Sequence, residues 1–264
     1  MAQDALEIYN EGYYYYTATN GYPLNYTQAF ARFSTAAQMG LSSAMNYLGL
    51  MYLEGKGVPQ NYIRAIEWFA YAMKATPTDF HAVYNLGRVY LFGWGVPKDY
   101  SRAKEYFELA IKATQNYESP YAYCCYMLGL IYSDVYKDYK KAAAHFQEAI
   151  RKGNVPEAYY SMGYLIECHG LTPANVPKEN RSLERDKSAR DYYEVAAKNG
   201  IVEAMDGLAR MNLRYHQDEV ALYWLRKAAS MGYEPSKRRL QMLEAKESGS
   251  LRQMGKSILN FFDN

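Results

Sequence analysis

Cysteine and histidine, the residues that build disulfide frameworks and most metal sites, are scarce in this chain. Its 264 residues include only Cys124, Cys125 and Cys168, with no CxxC motif. Three cysteines, two of them adjacent, provide no paired framework, so we interpret them as free thiols in a reducing compartment. The four histidines show no HExxH or other metal-ligand spacing. We therefore predict no metal site and no cofactor.

An excess of charge and long apolar runs are also missing. The 30 Lys and Arg residues nearly balance the 28 Asp and Glu residues, which argues against a nucleic-acid partner. No run approaches the roughly 18 uncharged apolar residues that a membrane span needs, so we predict no direct membrane insertion. The acidic stretch Met1–Ala5 lacks the basic and apolar regions of a secretory signal. We expect a cytoplasmic protein, although a secretion signal read without cleavage would leave no such pattern.

Catalytic motifs are the third absence. The chain has no GxSxG or comparable nucleophile motif. Two glycine-rich stretches, Gly55-x-Gly57 and Gly93-x-Gly95, lack the Lys-Ser/Thr pair of a phosphate-binding loop. We interpret them as turns between helices, and we predict that the protein is not an enzyme and has no catalytic residues.

Tyrosine is abundant, at 30 residues, and much of the sequence follows an internal repeat. In each copy an aromatic residue or Leu follows an Ala by four positions, and a second Ala follows by seven. This spacing places all three residues on one face of a helix. The six copies are Ala29/Phe33/Ala36, Ala65/Phe69/Ala72, Ala103/Phe107/Ala110, Ala142/Phe146/Ala149, Ala189/Tyr193/Ala196 and Ala221/Leu225/Ala228.

A second predicted helix precedes each of these. Three of them carry a Leu-Gly anchor, at Leu48-Gly49, Leu86-Gly87 and Leu128-Gly129; two others keep only the glycine, and the sixth has Leu208-Ala209. Glycine inside a helix costs about 1 kcal/mol relative to alanine, so its recurrence indicates that a neighbouring helix presses on the backbone there. Asn or Asp precedes the start of four of the second helices and is a predicted N-cap. These residues are Asn25, Asn61, Asp99 and Asp138.

The runs Ala44–Ala72 and Ala82–Ala110 resemble the Sel-one-like repeat (SLR), a relative of the tetratricopeptide repeat. The resemblance implies an all-α fold, a right-handed α-solenoid of about six helix-turn-helix repeats over residues 1–232. The fifth repeat carries an insertion at about 167–185, which we expect to form an extra loop. Residues 233–264 depart from the repeat, and we predict that they form C-terminal capping helices.

In helix-pair families of this kind the first helices line a concave groove. On each first helix that face contains the residue two positions before the anchor Leu and the residue one position after the Gly. The residue one helical turn earlier lies on the same face. Transferred to this chain, these positions predict a stripe rich in tyrosine. Tyrosine and arginine are enriched at protein-binding hot spots. The predicted partner-binding residues are Tyr9, Tyr13, Asn46, Leu50, His81, Tyr84, Arg88, Tyr123, Tyr126, Tyr160, Tyr164, Asp206 and Arg210.

The resemblance implies a non-enzymatic scaffold or adaptor that binds another protein, as a folded lobe or a peptide, in this groove. Bacterial members of the family also include immunity proteins that neutralise a cognate toxin, and this alternative stays open. An adaptor would bind a linear motif, whereas an immunity protein would bind one folded enzyme tightly. The sequence determines neither the partner nor the oligomeric state.

Overall fold

The predicted helix pairs are present throughout the part of the chain that the computed structural model describes, residues 2–77, 79–113, 118–171 and 181–247. These ranges contain helices and turns and no strand. The α-helices are α1 (Ala2–Thr17), α2 (Tyr26–Gln38), α3 (Ser42–Glu54), α4 (Tyr62–Ala75), α5 (Phe80–Phe92), α6 (Tyr100–Ala113), α7 (Glu118–Leu130), α8 (Tyr139–Gly153), α9 (Pro156–His169), α10 (Arg181–Lys198), α11 (Val202–Arg214), α12 (Asp218–Ser230) and α13 (Glu234–Glu247). A π-helical turn, Ile131–Val135, extends α7.

The chain forms two compact units, Met1–Tyr136 and Lys137–Asn264. In unit 1 each helix from α1 to α6 packs against the next, so every first helix lies beside its own second helix and that of the preceding repeat. In unit 2 the same order runs from α8 to α13. Sequential helix-pair packing of this kind is the repeat solenoid, and the predicted all-α class is confirmed. No helix in the described residues is long and apolar enough to cross a bilayer.

The alanine–aromatic–alanine faces form the cores. Phe33, Phe69 and Phe107 of unit 1 are fully buried, as are Tyr193 and Leu225 of unit 2. The alanines on either side of them are buried as well and bring the helix backbones close together. The i, i+4, i+7 pattern therefore marks the side of each second helix that faces the core.

The recurring helical glycine provides room for the core aromatic of the same repeat. A Cβ atom added to Gly87 would lie 2.7 Å from Cε1 of Phe107, too close for a van der Waals contact. Gly49 approaches Phe69 in the same way. The prediction that a neighbouring helix presses on the backbone is confirmed, and the contact is made by the phenylalanine ring.

The turns between paired helices depend on glycine for a different reason. Gly55 and Gly93 end α3 and α5 in the left-handed conformation, with φ of 70° and 74°. In this position glycine avoids the strain that a Cβ atom would cause. The two glycine-rich stretches are thus inter-helix turns, as predicted.

The predicted N-caps are confirmed at four second helices. The Asn61 side chain accepts a hydrogen bond from the backbone N–H of Arg64 at 3.0 Å, which satisfies a donor that has no partner within the helix. The other three caps accept from the residue three positions later at 2.9–3.1 Å; they are Asn25, Asp99 and Asp138.

Replacing Asn61 with alanine removes this cap and is expected to lower the free energy of unfolding by about 1 kcal/mol. Aspartate accepts the same hydrogen bond, so Asn61→Asp should keep most of the stability. Urea denaturation of both variants measures the difference. Equal losses in the two variants would contradict a capping role.

The insertion in the fifth repeat is helical at both ends. α9 continues to His169 and α10 begins at Arg181, so the extra loop predicted over 167–185 is shorter than expected. The burial of Asp186 accounts for helix at the later end, because its carboxylate accepts hydrogen bonds from Tyr215 and Arg214. Residues 172–180 lie outside the described residues.

α13 packs against α12 and occupies the place of the predicted C-terminal cap. Ser236, on α13, is fully buried and donates a hydrogen bond to Asp206 of α11 at 2.9 Å. The rest of the predicted cap, residues 248–264, lies outside the described residues.

Candidate partner-binding groove

The first helices of unit 1 line a groove with a volume of about 470 Å³. Side chains from α1, α3, α5 and α7 all reach it, so successive repeats contribute to one surface. The lining residues are Tyr9, Ser43, Asn46, Tyr47, Leu50, Phe80, His81, Tyr84, Asn85, Arg88, Pro120 and Tyr123.

This groove brings together seven of the residues that the sequence predicts for partner binding. They are Tyr9, Asn46, Leu50, His81, Tyr84, Arg88 and Tyr123. The predicted residues Tyr13 and Tyr126 also belong to unit 1 but do not line it. Tyr13 instead packs edge-on against the Tyr47 ring, with a centroid separation of 5.9 Å.

Five lining residues were missed by the sequence analysis: Ser43, Tyr47, Phe80, Asn85 and Pro120. Ser43 precedes Asn46 by three residues, as His81 precedes Tyr84, so applying the same rule to α3 would have identified it. Tyr47 and Asn85 share another register, directly before the anchor Leu. That position was not among those transferred to the groove, yet each helix presents a stripe wide enough to include it.

The groove tyrosines rest on the core. The Tyr84 ring lies 5.8 Å from the ring of the buried Phe107, and the Tyr47 ring stacks on Phe33 at 4.8 Å. Aromatic pairs at these separations contribute beyond the area that they bury. The core phenylalanines thus hold the groove tyrosines in place before any partner arrives.

Burial moves the pKa of two groove tyrosines further above neutral pH. It raises the pKa of Tyr84 to about 12, although Arg88 acts in the opposite direction. Burial also raises the pKa of Tyr9. At neutral pH these side chains therefore offer apolar rings together with hydroxyl groups that both donate and accept hydrogen bonds.

A row of polar groups crosses the groove from α3 to α5. Asn85 donates from Nδ2 to Oδ1 of Asn46 at 2.9 Å, and both residues are buried. Arg88 then donates from Nη1 to Oδ1 of Asn85 at 3.2 Å. The guanidinium also lies over the rings of Tyr84 and Trp94, at 5.8 and 5.1 Å from their centroids.

Unit 2 carries its own pair of predicted tyrosines. Tyr160 is half-buried and contacts the rings of Tyr193 and Tyr164, at 5.9 and 6.4 Å. Tyr164 is 42% exposed. Burial raises the pKa of Tyr160 to about 12, so its hydroxyl is also neutral at physiological pH.

The other two predicted residues of unit 2 belong to an ion-pair network. Arg210 forms a bidentate pair with Glu167, with N–O distances of 2.7 and 3.1 Å. Asp206 is buried and accepts hydrogen bonds from Ser236 and from Arg239, both on α13. The Asp206 carboxylate thus anchors the cap helix and is covered by it.

Histidine, cysteine and acidic side chains form no candidate metal site in the described part of the chain. No group of three or more His, Cys, Asp and Glu side chains there is arranged to hold a metal ion. None of the three cysteines forms a disulfide, and burial raises the pKa of Cys124 and Cys168, which disfavours their reactive thiolate forms. The groove is built for contact by rings, amides and one guanidinium.

Solved structures with the same helix-pair architecture support this fold. A Sel1 repeat protein from Oxalobacter formigenes is 26% identical, with a TM-score of 0.68, and the match covers 86% of this chain and 88% of the other. The Pseudomonas aeruginosa protein pilF is 17% identical, with a TM-score of 0.67, and the match covers 93% of this chain and 99% of pilF. The immunity protein Pa5087 of the same species is 17% identical, with a TM-score of 0.50, and covers 88% and 84%. The last two likenesses concern the fold alone, and none of the curated proteins matches this chain.

The repeat family is established by the sequence itself. The Sel1 repeat model matches six segments, which together make up most of the chain: 8–41, 42–75, 81–114, 121–154, 156–201 and 203–233. Each matched segment contains the helix pair of one repeat, and the fifth is lengthened by its insertion. Repeats of this type typically mediate protein–protein interactions and are typically non-enzymatic. The chain belongs to the Sel1 repeat family.

Proposed function

We propose that this protein is a non-enzymatic scaffold or adaptor that binds a partner protein in the groove of unit 1. The observation that carries the proposal is the groove itself. In it, half-buried tyrosines supported by core phenylalanines surround a row of amides that ends in Arg88. Rigid aromatic rings with few rotatable bonds bind partners at low entropic cost.

The composition of the groove favours a protein ligand over a small metabolite or a nucleic acid. Its lining comes from four successive repeats, so an extended ligand would contact all of them. Among the described lining residues, Arg88 is the one lysine or arginine. A single cation is too few to follow the phosphate backbone of a nucleic acid. We propose no cofactor. The cytoplasmic location stays a prediction from the sequence.

The remaining predicted residues fit this proposal unequally. Tyr160 and Tyr164 form an accessible aromatic pair that we propose as a second contact surface on unit 2. Arg210 keeps part of its surface exposed beside them. Asp206 would act through Arg210 and the cap helix, because its carboxylate is covered.

Removing three groove side chains, two exposed and one half-buried, should weaken partner binding about tenfold or more, because hot-spot residues carry much of the binding energy. The variant combines Leu50→Ala, His81→Ala and Tyr123→Ala. Its matched control combines Ile63→Ala and Tyr71→Ala, two exposed residues on α4, a second helix. Quantitative capture from native lysate, with wild type and both variants as baits, measures the effect.

A partner retained by wild type and by the α4 control, but lost by the groove variant, supports the proposal. A partner held equally by all three baits contradicts it and places the site elsewhere. Thermal melts of the three proteins should coincide within a few degrees, so that a loss of binding is not a loss of folding.

The toxin-neutralising alternative predicts a different partner. Its support is the resemblance to a family with immunity proteins, and the likeness to Pa5087 concerns the fold alone. Capture from trypsin-fragmented lysate distinguishes the two functions. An adaptor should still capture a fragment through its groove, whereas an immunity protein should capture only the intact, folded enzyme.

A further inference from the structure

We infer that the partner segment bound in the groove of unit 1 carries a carboxylate side chain, from Asp or Glu, that pairs with Arg88. This inference rests on the proposed function and names the chemistry of its ligand. Two arginines occupy the same position of their repeats. Each directly follows the glycine of the Leu-Gly anchor in the first helix, or the alanine that replaces this glycine in the sixth repeat. They are Arg88 on α5 and Arg210 on α11.

Arg210 has its acids within the protein. Glu167 pairs with it through two short hydrogen bonds, and Asp206 lies 3.5 Å from its Nε. Arg88 has none. In the described residues it forms one hydrogen bond, to the neutral amide of Asn85, and no ion pair. The same repeat position thus holds an arginine paired with acids in unit 2 and, among the described residues of unit 1, an arginine that no acid pairs with.

The charge around the groove leaves Arg88 available. The described lining residues contain no aspartate and no glutamate. Asp79 lies near the groove. Its charge contributes to the raised pKa of Tyr9, although less than burial does. Asp79 caps the start of α5, and nine residues separate it from Arg88, which is about 13 Å along a helix. The two charges are therefore more than two helical turns apart along α5.

The guanidinium also has N–H donors left for a ligand. Its Cζ lies over the rings of Tyr84 and Trp94, and the bond to Asn85 uses one N–H. Arginine has five N–H donors in a planar fork, so enough remain for a two-point pair with a carboxylate. A half-buried cation that lacks an acid gains most from a ligand that supplies one.

The surroundings define the rest of the segment. Leu50 and Tyr84 provide apolar surface beside Arg88, and the Asn46–Asn85 pair provides amide groups for the ligand backbone. The expected ligand is an acidic residue flanked by aromatic or aliphatic residues. A segment with several acidic residues would place its other carboxylates against aromatic rings, where the described groove residues offer no second cation to pair with them.

Selection from a library of random peptides displayed on phage tests the inference with the full chain as bait. Peptides that bind wild type but not the Leu50/His81/Tyr123 variant are sequenced, synthesised and titrated by fluorescence anisotropy. We expect them to share an Asp or Glu, and changing it to Asn or Gln should weaken binding about tenfold or more. In Arg88→Gln protein the same change should have less than about a twofold effect, because the pair is already broken.

Arg102→Gln is the matched control, since it removes an equal charge from the exposed face of α6. It should bind the peptides as wild type does. The inference would be overturned if groove-dependent peptides lacked an acid. It would also be overturned if removing the acid weakened binding equally in wild type and in Arg88→Gln. Both outcomes would leave the proposed function intact. The absence of any groove-dependent peptide would overturn the inference and also count against binding of a linear segment.

Discussion

Replacing Glu167 with alanine is expected to destabilise unit 2 by about 3–5 kcal/mol, the cost of leaving a buried charge without its partner. The Glu167 side chain is only 5% exposed and accepts hydrogen bonds from Tyr193 at 2.7 Å and from Arg210. Burial alone would lower the pKa of Arg210, and the Glu167 charge reverses that effect and raises it. Without the carboxylate, the Tyr193 hydroxyl loses its acceptor, and Arg210 keeps only the longer pair with Asp206 at 3.5 Å.

Unfolding of unit 2 can be followed through Trp224, the tryptophan of this unit, in a protein where Trp68 and Trp94 are changed to phenylalanine. The matched control is Glu194→Ala. Glu194 also pairs with a cation, Lys198 at 2.6 Å, but its side chain is 47% exposed. Exposed pairs contribute about 0–1 kcal/mol, so this variant should stay close to wild type.

A second substitution separates the two parts of the Glu167 effect. Tyr193→Phe removes the buried hydroxyl, and in the Glu167→Ala background it should restore part of the lost stability, since no unsatisfied group then remains on the ring. Equal destabilisation by Glu167→Ala and Glu194→Ala would show that the network contributes little. It would then be wrong to treat the Glu167 side chain as a structural requirement.

Phe107→Ala is expected to lower the stability of unit 1 by about 3–5 kcal/mol, because it opens a cavity at a fully buried aromatic. The same contact predicts the effect of filling the space beneath the ring. A methyl group at Gly87 would approach Phe107 to 2.7 Å, so Gly87→Ala should cost about 1–3 kcal/mol. Helix propensity alone predicts the opposite sign, a gain of about 1 kcal/mol.

Combining the two changes shows whether the contact is direct. With the smaller side chain of Phe107→Leu, the added methyl group has room, and Gly87→Ala should then cost less than it does alone. Urea denaturation of the four proteins, followed through Trp94 in unit 1, provides the comparison. A stabilising Gly87→Ala, or equal effects in both backgrounds, would contradict the packing described here.

Features set by contacts within one repeat could be predicted from the sequence. The phenylalanine positions and the Asn or Asp caps depend on residues three to seven positions apart on a helix, and the glycine beneath the ring lies on the paired helix of the same repeat, as Gly87 does for Phe107. The helical periodicity determines which residues share a face. The face that contains Tyr84 and Arg88 was assigned to the groove by the resemblance to helix-pair families, and periodicity then selected the residues on it.

Contacts between repeats could not be predicted in this way. Arg88 and Arg210 occupy equivalent positions, and only the tertiary structure shows that Glu167 lies 43 residues from Arg210 in sequence and 2.7 Å from it in space. Tyr193 offered one signal, since it replaces the phenylalanine of other repeats and a buried hydroxyl needs a partner. The sequence did not indicate which residue would provide it, nor that α13 would cover Asp206.

The most direct test of the central claim places a photoreactive benzoylphenylalanine at one position at a time and identifies what it crosslinks. Position 123 lies in the groove on α7, and position 71 lies on α4; both tyrosines are exposed, at 40% and 55%. If the groove of unit 1 binds the partner, irradiation should attach it to position 123 and not to position 71. Crosslinking from position 71, with none from position 123, would place the partner on the second helices and contradict the account.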